Sequence, residues 1–473
     1  MRIRDILLAG ACLGALGLSM AAPARADVTD DLLNQLQAKG ILTAQEVQVL
    51  KARKAEEDAK RGQAVPDTTR AQAQAPAGNA DSAGFIRAAD TGVGLRIGEV
   101  EVKLSGSING FYTYDNPKGG NDVVVGGVAG GTEETSSIRS GLLPSFLKFD
   151  ITTTQGGIDV GAHFGLYPGI NSSATAVGAN SGGLPIGLGT SGIDFRQNYL
   201  TFGTKNAGEI KIGRDIGLFG SDVILNDITL LGVGTAAGNN APGNTSLGRI
   251  GIGYIYTDFQ PQITYTSPDF GGFKVAAGIF QPLHAVAAPG FSLESDSGDT
   301  PGFQAKATYT LDVGGVKGTV WGSFLTQELA NVGGTGRSPT GQAFDVGTKL
   351  TFGPVTALGY YYTTEGVGTT GLFYNAIAAN GNKRDSDGFI LQGQAKFGKA
   401  ALGVSYGESN LDLAGGEAVS ELVETNQSWV FQAQYALTSW LNLVGEYTNT
   451  ESDAHNGNKA ENNSIALGAI MFF

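Results

Sequence analysis

From residue 99 to the end of the chain, apolar and polar side chains alternate one by one. At 99–115, Val100, Val102, Leu104, Ile108, Tyr112 and Tyr114 share one face, while Lys103, Ser105, Ser107, Asn109 and Thr113 share the other. Successive side chains of a strand point to opposite sides of the sheet, so the pattern predicts a strand with one apolar and one polar face. The run is longer than most strands of soluble domains. At 145–154 Leu147, Phe149 and Ile151 oppose Lys148 and Asp150, and at 158–167 Ile158, Val160, Ala162, Phe164 and Leu166 oppose Asp159 and His163. The stretches 303–311, 344–352 and 427–437 repeat the alternation.

The connections alternate as well. Short turns at 155–157, 206–208, 269–272, 312–315, 353–354, 398–399 and 438–440 are interleaved with long polar loops. The loops fall at about 116–141, 169–193, 214–259, 282–301, 327–341, 365–386, 410–426 and 451–462. Seven short turns and eight long loops join sixteen strands. Short turns on one side and long loops on the other are the signature of a transmembrane β-barrel. A closed barrel leaves no strand edge unpaired in lipid, so backbone groups need no water there. The fold class expected is a 16-stranded antiparallel transmembrane β-barrel, with apolar faces toward lipid and polar faces toward a lumen wide enough for water. The stretch 249–257 also alternates, but a seventeenth strand would break the even count, so it reads as the return of the third loop.

The N-terminal part differs. Arg2 and Arg4, an apolar run from Ile6 to Met20 and Ala24-Arg25-Ala26 read as a signal peptide over 1–26. The chain's one cysteine, Cys12, lies inside it, so the exported chain is expected to fold without disulfides. Leu32, Leu33 and Leu36 before Gly40, and a capping box from Thr43 to Glu46, predict a helical hairpin or coiled-coil extension over 27–62. Residues 63–98 read as a flexible linker, which places the barrel at 99–473.

Composition narrows the function. After the first 20 residues no run of about 18 apolar residues could form a membrane helix. The net charge of −13 argues against a nucleic-acid binder. Three histidines without a neighbouring nucleophile motif offer no catalytic set, and neither a metal nor another cofactor is expected. Removing the leader leaves 28 basic and 43 acidic residues, a net charge of −15. Many of those acids sit in long loops (Glu294, Asp296, Asp299, Glu417, Glu421) where they can face outer-leaflet lipopolysaccharide.

The final strand at 463–473 places Ile465, Leu467, Ala469, Met471 and Phe473 on one face and ends on the aromatic. It resembles the C-terminal assembly signal of outer-membrane barrels, carried here by Phe473 and Met471. The stretch 196–215, closing on Gly213-Arg214, resembles the strand–turn–strand unit of trimeric Gram-negative porins, and 263–280 with its Ser-Pro-Asp-Phe-Gly-Gly turn resembles the next unit. The resemblance covers about 99–473 and is nearest to porins of the alphaproteobacterial type. The helical extension resembles that of DcaP-like porins. It implies a homotrimer in the outer membrane, passive diffusion of small hydrophilic solutes, and a third loop folded into the pore. On that basis Asp215, Asp222 and Asp227 of the loop face a basic wall of Lys103, Lys148, His163, Arg196 and Lys211. Arg214 shares the parity of Ile210 and Ile212, so it joins that wall only through a bulge at Gly213. Opposed charges across a constriction set a transverse field. Rival readings are a channel specific for anions or dicarboxylates, and a structural or adhesin barrel without conductance.

Overall fold

The computed structural model describes residues 47, 48, 51, 86–89, 92–118, 120–131, 133–170, 193–235, 245–287 and 292–473. Contacts divide the chain into two units, 1–80 and 81–473. In the first, Val47, Gln48 and Lys51 are helical. The signal peptide and most of the expected helical extension lie outside the described residues.

The second unit is a closed antiparallel barrel. Its wall runs through β1 (Val100–Pro117), β2 (Phe146–Gln155), β3 (Ile158–Pro168), β4 (Ile193–Thr204), β5 (Gly208–Ile216) and β6 (Phe259–Thr266). It continues through β7 (Phe273–Phe280), β8 (Gly302–Val313), β9 (Val316–Glu328), β10 (Thr340–Phe352) and β11 (Val355–Glu365). The last strands are β12 (Asp385–Phe397), β13 (Ala400–Leu411), β14 (Val423–Ala436), β15 (Leu441–Ala454) and β16 (Lys459–Phe472). Each strand pairs with the next, and β16 closes on β1 through Phe472↔Ser107 to Asn462↔Pro117. The expected sixteen-stranded fold is the fold observed.

The pleat explains the burial. Ile108, Leu402, Phe431 and Leu467 point outward and are at least half exposed, as an outer face turned to lipid requires. Two-residue turns such as Gly156-Gly157, both at positive φ, return the chain on the short side.

Three features depart from the simple alternation. First, a hairpin of Ile86–Ala88 and Val93–Ile97 precedes β1, and Val93↔Leu104 to Ile97↔Val100 pair it to the base of that strand. It occupies the strip below Phe473, whose backbone exchanges hydrogen bonds with Gly106. The sheet therefore starts inside the stretch expected to be linker. Second, β15 and β16 run on to Ala454 and from Lys459, leaving only 455–458 as the last loop. Ladder bonds need no apolar side chains, so pairing continues above the lipid. Third, the inward faces of β9 to β12 are not uniformly polar. Trp321, Leu325, Ala343, Leu358, Tyr360, Tyr362 and Ile390 form a buried cluster with Phe219, Val223, Ile224 and Tyr254 of the third loop and with Leu372 and Phe373 of the sixth. The core of the molecule thus lies inside the barrel, between loops and one half of the wall.

Candidate functional site: the lumen and its third loop

The described parts of the third loop, 217–235 and 245–258, follow β5, and the first of them runs along the inside of β8 to β15. A short helix, α1 (Ser221–Asn226), and a 3-10 turn (Ile228–Leu231) follow a left-handed Gly220. Polar side chains of the wall hold this belt by its backbone. Gln304 on β8 accepts from Leu218 N and Phe219 N at 2.8 and 3.0 Å. Asp345 on β10 accepts from Gly220 N at 2.9 Å, with Ser323 and Tyr360 as further donors. Gln392 on β12 takes Ile228 N and gives its amide to Asn226 O. Glu446 on β15 accepts from Val233 N, Gly234 N and Gln432 Nε2. Gly232 beside it has no room for a side chain, since a Cβ would fall 2.2 Å from Glu446 Oε2. These buried polar groups complete bonds that the loop could otherwise make only with water.

The opposite wall, β2 to β5, keeps a chain of polar and aromatic side chains. His163 Nδ1 lies 2.6 Å from Asp150 Oδ1, and its ring stacks on Tyr199 at 4.6 Å. Lys211 Nζ lies 5.1 Å from the centre of the Tyr199 ring and forms an ion pair with Asp215. Gln197 donates to Asp215 at 2.6 Å and accepts from the Tyr167 hydroxyl. Arg196 lies over the rings of Tyr167 and Phe259 at 5.0 and 5.5 Å and pairs with Asp194 at 2.6 Å. Arg196 points inward because the ladder slips between Gly165 and Tyr167, so that Phe195 and Arg196 both oppose Leu166.

The charges expected at the constriction therefore separate into groups. His163, Arg196, Lys211 and Asp215 come together on one wall, with Lys148 two residues from Asp150 on the same inward face of β2. Lys103 lies lower, near the base, 3.5 Å from Glu101. Asp222 on α1 pairs at 2.7 Å with Lys306 of β8, not with β1 to β5. Asp227 is buried behind the loop, bonded to Thr229 and to the Tyr254 hydroxyl. Burial pushes its carboxyl above the usual range, and the nearby Arg249 charge only partly offsets this. The bulge expected at Gly213 is absent. Pairing runs without a shift from Gly208 to Ile216 on both sides, so Arg214 keeps the outward parity of Ile212 and is exposed, outside the lumen set. The chain uses its inward-turning bulge on β4 instead.

Sequence reasoning missed Lys306, Lys349, Asp345 and Glu446. Lys349 donates to Asn226 Oδ1 at 2.9 Å and has no acidic partner within 4.0 Å among the described residues; Lys148 has none either. Alternation places Lys306, Lys349 and Asp345 inward. The signal that could have assigned them is an ionised group at mid-strand on the inward face, where it needs a partner from a loop.

A closed membrane barrel whose interior is crossed by a belted loop and lined by charges is a channel. The family model of Gram-negative porins matches residues 69–455, and the chain belongs to that family. It is an outer-membrane β-barrel that lets small hydrophilic solutes diffuse passively. Among solved structures it is similar to the outer-membrane channel DcaP of Acinetobacter baumannii, at 18% identity and TM-score 0.59 over 82% of this chain and 99% of that one. It is also similar to an anion-selective porin from Comamonas acidovorans, at 15% identity and TM-score 0.53 over 79% and 100% of the two chains. Salmonella typhi OmpF matches at 13% identity and TM-score 0.50 over 79% and 98%. Among curated proteins none matches the sequence significantly.

Proposed function

We propose that solutes pass between the loop 217–258 and the β2–β5 wall, and that the constriction is formed by Lys148, His163, Arg196, Lys211 and Asp215 facing Asp222 of α1. The supporting observation is the belt itself. It is fastened to one half of the interior through Gln304, Asp345, Gln392 and Glu446, which leaves the polar half open. Asp222→Asn releases Lys306 and is expected to change conductance and raise anion preference in a planar bilayer. Asp227→Asn is expected to leave ion preference unchanged, because that carboxyl is buried behind the loop. Equal effects of the two would sink this placement.

One observation favours an anion-preferring channel. Along the open path Asp215 and Asp222 pair with Lys211 and Lys306 and Asp150 bonds to His163, whereas Lys148 and Lys349 form no ion pair among the described residues. Counting Asp150 against one of these lysines leaves a positive charge over. Replacing both lysines by Gln is expected to shift the reversal potential toward cations; an unmoved potential would rule the lysines out. An adhesin barrel would instead show no conductance. We assign no catalytic step: His284 and His455 bond to the carbonyls of Ser295 and Leu411 at 2.9 and 2.8 Å. The functional unit we propose is a homotrimer in contact with lipopolysaccharide, assembled through the Phe473 and Met471 signal. SDS-resistant trimer migration and conductance steps in threes test it.

A further inference from the structure

An imidazole changes charge between about pH 5 and 8, whereas carboxyl groups titrate near about 4 and amines and phenols near about 10. Of the three histidines, only His163 on β3 stands on the lumen wall; His284 and His455 bond to loop carbonyls. Three strands fix its ring. From β2, Asp150 Oδ1 lies 2.6 Å from Nδ1. From β4, Thr201 Oγ1 lies 3.3 Å from Nε2, and the Tyr199 ring stacks at 4.6 Å. On β3 itself, a Cβ at Gly161 would fall 2.6 Å from Nε2 and 2.8 Å from Thr201 Oγ1, so glycine leaves the ring its place.

These contacts serve both protonation states. A carboxylate only accepts, so Asp150 keeps a proton on Nδ1. A hydroxyl donates and accepts, so Thr201 donates to a bare Nε2 and, after turning, accepts from a protonated one. The ring therefore gains a proton without moving. The side chains of His163 and Asp150 are 17% and 38% exposed, so water in the lumen reaches the pair. The surrounding charges make that proton count. Lys103 of β1, across the ladder from Asp150, pairs with Glu101, and Lys211 of β5 pairs with Asp215. Asp159, lower on β3, accepts from Thr154 at 2.6 Å. Lys148, two residues from Asp150 on the same inward face, forms no ion pair among the described residues. A neutral ring leaves Asp150 to offset Lys148. A charged ring takes Asp150 for itself and leaves Lys148 over.

We propose that His163 is a proton-operated selectivity switch, whose protonation releases Lys148 and raises the channel's preference for anions. The switch rests on the path along the β2–β5 wall, and two readouts separate the one from the other. Reversal potentials of the full protein in a planar bilayer are measured under a KCl gradient from pH 8 to pH 5. The anion-to-cation permeability ratio is expected to rise at least about twofold, the scale of one unit charge acting through water over a few ångströms. His163→Gln should lose this step, while any change due to loop acids persists in both proteins. Asp150→Asn should raise anion preference at pH 8 and move the step to lower pH, because the carboxylate that favours the charged ring is gone. Histidine-labelled protein in micelles is titrated by NMR in parallel, with the His163 signal assigned by its shift in Asp150→Asn, a variant that also carries the test if His163→Gln fails to fold. A ring that does not titrate between pH 5 and 8, or a step that survives His163→Gln, overturns the switch; the path still stands if Lys148→Gln moves the reversal potential. A ring that titrates while selectivity stays fixed overturns the switch and the path beside it.

Discussion

Glu446 holds the inner belt at its far end, and the physics there is a count of donors. Its carboxylate accepts from two loop N–H groups and the Gln432 amide inside the barrel. Glu446→Leu removes the acceptor and leaves those donors buried, at a cost of roughly 1–3 kcal/mol each. The expected result is a loop that fluctuates, read as increased open-channel noise and altered conductance in single-channel records. Glu446→Gln, which keeps one acceptor oxygen, should fall between the two. A second residue-scale prediction concerns the ion pair between Arg384, at the end of the sixth loop, and Glu417 of the seventh. Burial pushes the Glu417 carboxyl up, but hydrogen bonds from Arg384 and from Ala414 N outweigh it, so it is held below its ordinary 4.5. A depressed acid stabilises the fold at higher pH and loses that contribution as pH falls through its folded value. Amide protection factors across 412–422, exchange rates taken relative to the intrinsic rate at each pH, are therefore expected to fall below pH 4.5, and Glu417→Gln should remove the pH step. At this scale the sequence was legible where parity alone decides, as for His163 and Lys211. It was not legible where a bulge decides. Nothing in the residues around Gly213 or Phe195 says which strand slips, and that slip alone separates Arg196 in the lumen from Arg214 outside it.

Strands were legible because a membrane wall imposes alternation at every position, and a one-residue slip would turn every side chain to the wrong side. Their ends were not, since ladders continue past the lipid on β14 to β16. Nor does alternation say what an inward apolar side chain meets. Trp321, Tyr360 and Ile390 look like exceptions until the loops cover them. The hairpin before β1 was hidden for a related reason. It is too short to show a period, and its role is to extend a sheet. Removing 86–97 would leave the β1 stretch from Val100 to Leu104 with an unpaired edge at the seam, just below the Phe473–Gly106 bonds. Deletion is expected to lower the temperature at which the folded band disappears in SDS gels, with single-channel conductance unchanged. Gly94→Val should act the same way, because a Cβ there would lie 2.3 Å from Val102 O. Altered conductance at unchanged thermal resistance would mean the hairpin acts on the pore rather than the seam.

For the whole molecule, charge is divided between two regions of opposite sign. The sequence carries a net −13, with Glu294, Asp296, Asp299 and Glu421 among the long loops, whereas Lys148 and Lys349 line the lumen without an ion pair among the described residues. Ionic strength separates their contributions. At 0.1 M salt the screening length is about 10 Å, so the loop field reaches into the mouth and gathers cations there. At 1 M it shrinks to about 3 Å, and only charges lining the path are felt by a passing ion. If lumen lysines alone set selectivity, anion preference falls steadily as salt rises. With the two regions in series, the acidic mouth masks the lysines at low salt. Anion preference is then expected to rise between 0.1 and 1 M before screening weakens the lumen itself. The effect should also be sided, stronger when the dilute solution bathes the loops. Reversal potentials in both gradient orientations measure this directly. A monotonic fall, equal in both orientations, would show that the loop acids are neutralised in place and that the lumen alone chooses the ion.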